Sequence, residues 1–132
     1  MKNCALYTRV STAMQAEVEY NSCEAQRDKI LSYIKSQEDL EVYKKYSDPG
    51  CSASNLDRPA LRELLNDIAQ GKIHAVLTYK IDRLTRSSKD FYTLIEFFEK
   101  HGVSFVSVTE RFDTSSASGR LLRNIMLTFV HA

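Results

Sequence analysis

The apolar positions of the chain follow two different periods, which together predict alternating strands and helices. Short apolar runs rich in β-forming residues predict four strands: CALYTRV (4–10), LEVYKKYSD (40–48), IHAVLTY (73–79) and VSFVSV (103–108). Between them, apolar residues recur every three or four positions, which predicts helices that end near Lys35, before Gly71 and at Gly102. TERFDTSSASG (109–119) is predicted to be a loop, and a further helix is predicted from Arg120.

Polar residues with capping side chains mark where two of these helices begin. Asn21 or Ser22 can cap the first helix. Asp57 is predicted to cap the second, with Pro59 in its first turn, where the missing N–H costs nothing. The apolar stripes of the second and third helices are predicted to face the core: Leu61, Leu64, Leu65, Ile68, Phe91, Leu94, Ile95 and Phe98.

The strand-then-helix order, repeated four times, predicts an α/β fold. We expect a three-layer sandwich, with a mainly parallel central sheet and helices on both faces. Sites in such sheets gather at the carboxyl ends of the strands. YTRVST (7–12) ends the first strand and YKIDRLTRS (79–87) ends the third. If these strands are neighbours, then three arginines should surround one point beside Ser11: Arg9, Arg83 and Arg86.

Composition limits the classes of protein that this chain can represent. Its 132 residues suit one domain, and a net charge of +1 means that any anion site must be a local cluster of charge. The three cysteines are odd in number and form no CxxC pair, which is typical of reduced thiols in a cytosolic protein. The three histidines lack ligand-like spacing, so no metal site is predicted. We expect no membrane span and no secretion signal.

The predicted arginine cluster indicates chemistry on a phosphate. Guanidinium groups are planar forks that match phosphate oxygens bidentately, and they stay charged when partly buried. A neighbouring serine hydroxyl is a candidate nucleophile. Attack on a phosphodiester builds negative charge, which cations placed in advance stabilise. The residues therefore favour attack by Ser11 on a phosphate, with arginines in the place of a metal.

Five segments, in the same order, resemble the signature of the serine recombinase family, which includes the resolvases, the invertases and the large serine integrases. They are YTRVST (7–12) with Gln15, SCEAQ (22–26), DRP (57–59), KIDRLTRS (80–87) and DTSSASGRL (113–121). The resemblance covers nearly the whole chain. The DTSS loop and the LDRPAL segment look more like the large serine recombinases than the compact resolvases.

The resemblance implies roles for the residues at the predicted cluster. Ser11 matches the nucleophile, which bonds to the 5′ phosphate of DNA and releases a 3′ hydroxyl. Arg9, Arg83 and Arg86 match the arginines that bind the scissile phosphate. Asp82 matches an acid that orients arginine and serves in proton transfer; a structural alternative is that Asp82 pairs with Arg86 or caps a turn.

Three further site residues rest on the resemblance alone. Gln26 matches a glutamine near the nucleophile, Arg58 a further active-site arginine, and Tyr7 the tyrosine at the end of the first strand. The alternatives are that Gln26 faces solvent and that Arg58 lies on the surface. The second helix has Asp67 and Ala69 where compact resolvases tend to carry a lysine, so that contact has no support here.

By resemblance, the chain is expected to be a catalytic domain over residues 1–132 that acts on double-stranded DNA. The family cuts DNA at two sites, exchanges strands within a tetramer built from dimers, and rejoins them without ATP, metal or other cofactor. The implied setting is the bacterial cytoplasm and nucleoid, with a bacterial or phage gene, and the implied role is integration, excision or transposition of a mobile element. The last helix, from about residue 120, is expected to be truncated at Ala132.

Two alternative functions use the same cluster of arginines. One is a module of the same fold that binds phosphate or DNA without cleaving it. The other is a phosphoryl-transfer enzyme acting on a small ester, such as a phosphatase. The presence of Ser11 beside the arginines favours the recombinase, and the lack of a CxxxxxR loop, a GKS motif or paired metal-binding carboxylates argues against the phosphatase.

Overall fold

A computed structural model describes residues 2–10, 23–49, 56–110 and 112–114, which form a five-stranded sheet packed between helices. The elements in chain order are β1 (Lys2–Val10), α1 (Cys23–Lys35), β2 (Leu40–Pro49), α2 (Pro59–Ala69), β3 (Ala75–Thr78), α3 (Ile81–Leu84), α4 (Ser88–Lys100), β4 (Ser104–Ser107) and β5 (Phe112–Asp113). The strand order is β2-β1-β3-β4-β5, and only the β4–β5 pairing among these is antiparallel. The predicted α/β fold with a mainly parallel central sheet is confirmed.

The two faces of the sheet carry separate apolar clusters. On one face, the predicted stripes of α2 and α4 pack against side chains of β1, β3 and β4, including Ala5, Val76 and Phe105. On the other face, Ile30 and Ile34 of α1 pack against the alternate residues of the same strands. Successive strand residues point to opposite faces, so one hydrophobic strand supplies both layers.

Glycine ends two helices at the predicted positions. Gly71 has φ +77° and follows α2, and Gly102 has φ +71° and follows α4. A left-handed residue just past the last helical turn is where glycine has the least steric cost. The end of α1 at Lys35 also agrees with its predicted boundary.

Two short elements were not predicted. The predicted loop at 109–119 contains β5, which pairs antiparallel with β4 and forms one edge of the sheet. A single turn of helix, α3, lies within the charged segment after β3. Elements of two and four residues are too short to show a hydrophobic period, so the sequence pattern cannot reveal them.

The prediction that Asp57 caps α2 is wrong. Asp57 lies at the surface, with Oδ1 3.4 Å from Nη1 of Arg62. The first free amides of α2, those of Ala60 and Leu61, instead donate to Asp48 at 2.9 and 3.0 Å. The capping carboxylate therefore comes from the end of β2, which the local sequence around the helix start could not show.

Several predictions fall on residues outside the described ranges. These are the nucleophile Ser11, Gln15, the caps Asn21 or Ser22, and the helix from Arg120. Among the helices that are described, none is long and apolar enough to cross a membrane. The described histidines, cysteines and acids form no group of three or more that could hold a metal ion.

A buried polar pair joins α2 to β2. The hydroxyl of Tyr46 donates to Oδ2 of Asp67 at 2.6 Å, and both side chains are buried. Burial and this carboxylate raise the pKa of Tyr46 well above its ordinary value. Asp67, which occupies a helix region where compact resolvases tend to carry lysine, thus has a structural partner in this chain.

Tyr46→Phe should lower the free energy of unfolding by about 1–3 kcal/mol, because it leaves a buried carboxylate without this donor. Urea unfolding monitored by circular dichroism measures the change. Tyr43→Phe is the matched control, since Tyr43 lies in the same strand with 40% of its surface exposed. Equal stability of the two variants would contradict a stabilising role for the Tyr46–Asp67 contact.

Candidate active site

The two loops that carry the predicted chemistry leave the same edge of the sheet. β1 and β3 are neighbouring parallel strands, with Tyr7 opposite Thr78. β3 is followed after two residues by α3, and β1 ends at Val10, the residue before Ser11. The condition on which the predicted cluster depended, that the first and third strands be adjacent, is therefore met.

Arg9 ties the end of β1 to α3. Its side chain is fully buried, and Nε donates to the carbonyl oxygen of Arg83 at 2.9 Å. Nη2 donates to the carbonyl oxygen of Asp82 at 2.8 Å. One guanidinium fork thus holds two consecutive carbonyls, so Arg9 fixes the position of α3 in addition to supplying positive charge.

Arg9 is close enough to other arginines for their positive charges to affect its pKa. Burial lowers the pKa of Arg9 from its usual value, and the positive charges of Arg58, Arg83 and Arg86 lower it further. Arg83 is buried and Arg86 is exposed. The carbonyl oxygen of Arg83 accepts from both Arg9 and Arg58, at 2.9 and 3.5 Å, so positive charge is concentrated locally in a protein whose net charge is only +1.

Asp82 lies beside Arg83 within this cluster. Oδ1 of Asp82 is 3.6 Å from Nη1 of Arg83, while the guanidinium carbon of Arg83 lies 6.0 Å from the centre of the Tyr79 ring. Sequence reasoning considered Arg86 as the structural partner of Asp82. The ion pair seen among the described residues is with Arg83 instead.

Gln26 holds the backbone at the end of β1. Its Nε2 donates to the carbonyl oxygen of Arg9 at 3.1 Å, and its Oε1 accepts from the Arg9 amide at 3.4 Å. The side chain is fully buried, which excludes the alternative that it faces solvent. Gln26 therefore positions the backbone two residues before Ser11, and α1 carries it there.

Arg58 is also buried, and it joins three parts of the site. Its Nη1 donates to the hydroxyl oxygen of Tyr7 at 2.8 Å, and its Nη2 donates to the carbonyl oxygen of Leu84 at the end of α3. Only 1% of Arg58 is exposed, so the alternative that it lies on the surface is wrong. The Tyr7 hydroxyl in turn donates to Asp48 at 2.8 Å.

Asp48 is a site residue that sequence reasoning missed. Its buried carboxylate accepts the Tyr7 hydroxyl and the two amides at the start of α2, which directly follows Arg58. It thereby fixes both the tyrosine and the helix start on which Arg58 depends. An acid at the carboxyl end of a strand predicted to lie in a parallel sheet was the available signal. Its neighbours Pro49 and Gly50 had instead indicated a turn.

Comparison with known proteins identifies the family to which this chain belongs. Residues 4–132 match the family described as "Resolvase, N terminal domain". The chain therefore belongs to the resolvase family, which is the family of the serine recombinases.

Individual relatives agree with this assignment. The N-terminal catalytic domain of TP901-1 integrase has a TM-score of 0.89 at 39% identity, with 98% of this chain and 95% of that chain covered. The Tn917 resolvase of Enterococcus faecalis is 40% identical over 70 residues, which are 53% of this chain and 37% of the relative. A putative DNA recombinase of Bacillus subtilis (strain 168) is 33% identical over 117 residues, 89% of this chain and 22% of the relative. This chain thus spans well under half the length of these two curated relatives.

Proposed function

We propose that this chain is the catalytic domain, over residues 1–132, of a site-specific DNA recombinase whose nucleophile is Ser11. The observation that carries the proposal is that the guanidiniums of Arg9 and Arg58 meet on the carbonyl oxygen of Arg83, at the sheet edge where β1 ends one residue before Ser11, with Arg86 two residues after α3. Membership of the resolvase family supports the same assignment. A module that only binds phosphate would not need a serine at this position.

In the proposed reaction, Oγ of Ser11 attacks the phosphorus of a DNA phosphodiester. The serine hydroxyl loses its proton, the bond from phosphorus to the 3′ oxygen breaks, and that oxygen takes up a proton to become a 3′ hydroxyl. Rejoining is the reverse attack by a 3′ hydroxyl on the phosphoserine. One phosphate ester replaces another, so no ATP is needed.

The arginines have different parts in this scheme. Arg83 and the exposed Arg86 would hold the scissile phosphate and stabilise the charge that develops on its oxygens. Arg9 would add to this charge while it holds α3 in place. Asp82 would orient Arg83, from which its carboxylate is 3.6 Å away, and assist proton transfer.

The proposed partners are double-stranded DNA and further copies of the chain. Strand exchange needs two cut sites held together, so the active assembly would be a tetramer of paired dimers. The proposed role is integration, excision or transposition of a mobile element, within the cytoplasm and nucleoid of a bacterium. The names of relatives, which include a transposon resolvase and an integrase, support this role.

The test is to trap the covalent intermediate. The natural full-length protein is incubated with labelled DNA from the genome that encodes it, denatured, and resolved on a gel that separates protein-linked DNA. Mass spectrometry then identifies the linked residue. A 5′ adduct on Ser11 is the expected result. DNA that is bound without any adduct would favour the non-cleaving module, and an adduct on another residue would overturn the assignment of Ser11.

Chelation of divalent metal should not slow the cleavage step. If arginines supply the positive charge, cleavage in excess EDTA should stay within about twofold of its rate in magnesium. Single-turnover adduct formation with and without EDTA measures this. Loss of the adduct in EDTA, with recovery when magnesium is added back, would contradict the proposed role of the arginines.

A further inference from the structure

The segment after β4 is bonded to the segment after β3. The amides of Val108 and Thr109 donate to the carbonyl oxygens of Thr78 and Tyr79 at 3.0 and 3.1 Å. The hydroxyl of Thr109 donates to the Tyr79 carbonyl as well, at 2.7 Å. These bonds continue the β3–β4 pairing beyond the two strands, toward the start of α3.

Glu110 completes this connection at the first residue of α3. Its Oε1 accepts the amide hydrogen of Ile81 at 2.7 Å and the hydroxyl hydrogen of Ser107 at 2.6 Å. Ser107 is fully buried, so one end of the arrangement is anchored in the core. Ile81 is followed directly by Asp82 and by Arg83, the residue proposed to hold the phosphate.

We propose that Glu110 is a positioning residue for the arginine cluster. Its carboxylate holds the N-terminal end of α3, while Arg9 and Arg58 hold the carbonyls at the other end. A helix of one turn has no long hydrogen-bond ladder of its own and depends on such external contacts. Glu110 acts on the reaction through the placement of Arg83 and does not touch the phosphate.

This inference rests on the proposed function, because it assigns Glu110 a part in the same cleavage step. Misplacement of a catalytic group by about 1 Å can reduce a rate by roughly 10². Glu110, Arg9 and Arg58 all hold α3, so loss of the Glu110 contact alone should reduce the cleavage rate by less than this. We therefore expect an effect on the rate of cleavage and little effect on DNA affinity, since DNA affinity depends on phosphate contacts spread over the whole interface.

Three variants of the natural full-length protein test the proposal. Glu110→Ala removes the acceptor, Glu110→Gln keeps an oxygen that can accept the Ile81 amide, and Glu38→Ala removes an exposed acid in the turn before β2 as the matched control. Single-turnover cleavage should fall about tenfold in Glu110→Ala and stay within about threefold of wild type in the other two. DNA affinity should be similar in all four proteins.

A second measurement does not depend on cleavage. Amide hydrogen exchange in residues 80–85 should be at least about tenfold faster in Glu110→Ala than in wild type, with Glu110→Gln and Glu38→Ala near wild type. Ser107→Ala removes the donor that orients the Glu110 carboxylate, so it should increase the exchange rate in residues 80–85 by an intermediate amount. This variant replaces Glu110→Ala in the test if Glu110→Ala does not fold.

The outcomes separate the two proposals. If wild type forms no adduct, the proposed function fails, and the exchange data alone decide whether Glu110 holds α3. If wild type cleaves and Glu110→Ala matches it in rate and exchange, the positioning role is overturned. A Glu110→Gln protein as slow as Glu110→Ala would also overturn it, because the hydrogen-bond acceptor is retained in that variant.

Discussion

Ser11→Ala should abolish covalent attachment to DNA and leave most of the DNA affinity intact. The proposed chemistry needs the hydroxyl as nucleophile, and alanine removes only that oxygen. Binding depends on phosphate contacts from arginines and from the rest of the interface, which the substitution does not alter. Adduct formation on labelled DNA measures the first effect, and a binding titration at fixed salt measures the second.

The control for this variant is another serine outside the cluster. Ser32 is exposed on α1, and its hydroxyl bonds only locally, to the carbonyl of Asp28 at 3.1 Å. Ser32→Ala should form the adduct at the wild-type rate. A detectable adduct from Ser11→Ala would show that a different residue is the nucleophile, whereas loss of binding together with the adduct would show that Ser11 is needed to form the complex.

The long strands and helices could be predicted from the periodic pattern of apolar residues in the sequence. The four parallel strands have clear apolar runs, and the stripes of α2 and α4 repeat at helical spacing because one side of each faces the sheet. Once β1 and β3 are neighbours, their loops must meet at one edge. That the segments carrying Arg9, Arg83 and Arg86 lie at the same edge of the sheet follows from that topology, without knowledge of any side-chain contact.

The hydrogen bonds that connect the residues of the site could not be predicted in the same way. The partners of Arg9 are backbone carbonyls of residues that follow β3, and Asp48 caps a helix that begins eleven positions later. Contacts between distant segments depend on the three-dimensional path of the chain and leave no local pattern. The resemblance to serine recombinases named Gln26 and Arg58, but only the structure shows that both are buried and what they hold.

Because of these contacts, substitution of a buried arginine and substitution of an exposed arginine should have different effects on the reaction. Arg86 is exposed and able to move to a ligand, whereas Arg9 is locked between β1 and α3. A substitution at Arg9 therefore tests geometry as much as charge. Lysine is the informative replacement, because it keeps the positive charge and loses the planar fork.

Arg9→Lys should reduce single-turnover cleavage by a factor on the order of 10² or more, comparable to the loss of one oxyanion donor. A single ammonium group at the end of a shorter side chain cannot hold the carbonyls of Asp82 and Arg83 in the same bidentate way. The free energy of unfolding should also fall, by about 1–3 kcal/mol, because buried hydrogen-bonding groups lose their partner. Cleavage is therefore measured at a temperature where urea unfolding shows the variant to be folded.

Arg62→Lys is the control, since Arg62 is exposed and its ion pair is with Asp57 at the surface. It should cleave at the wild-type rate, and neither variant should change DNA affinity by more than about threefold, because both keep their charge. Cleavage by Arg9→Lys within tenfold of wild type would mean that Arg9 contributes mainly its charge. In that case the hydrogen bonds from β1 to α3 would be dispensable for placing Arg83 on the phosphate.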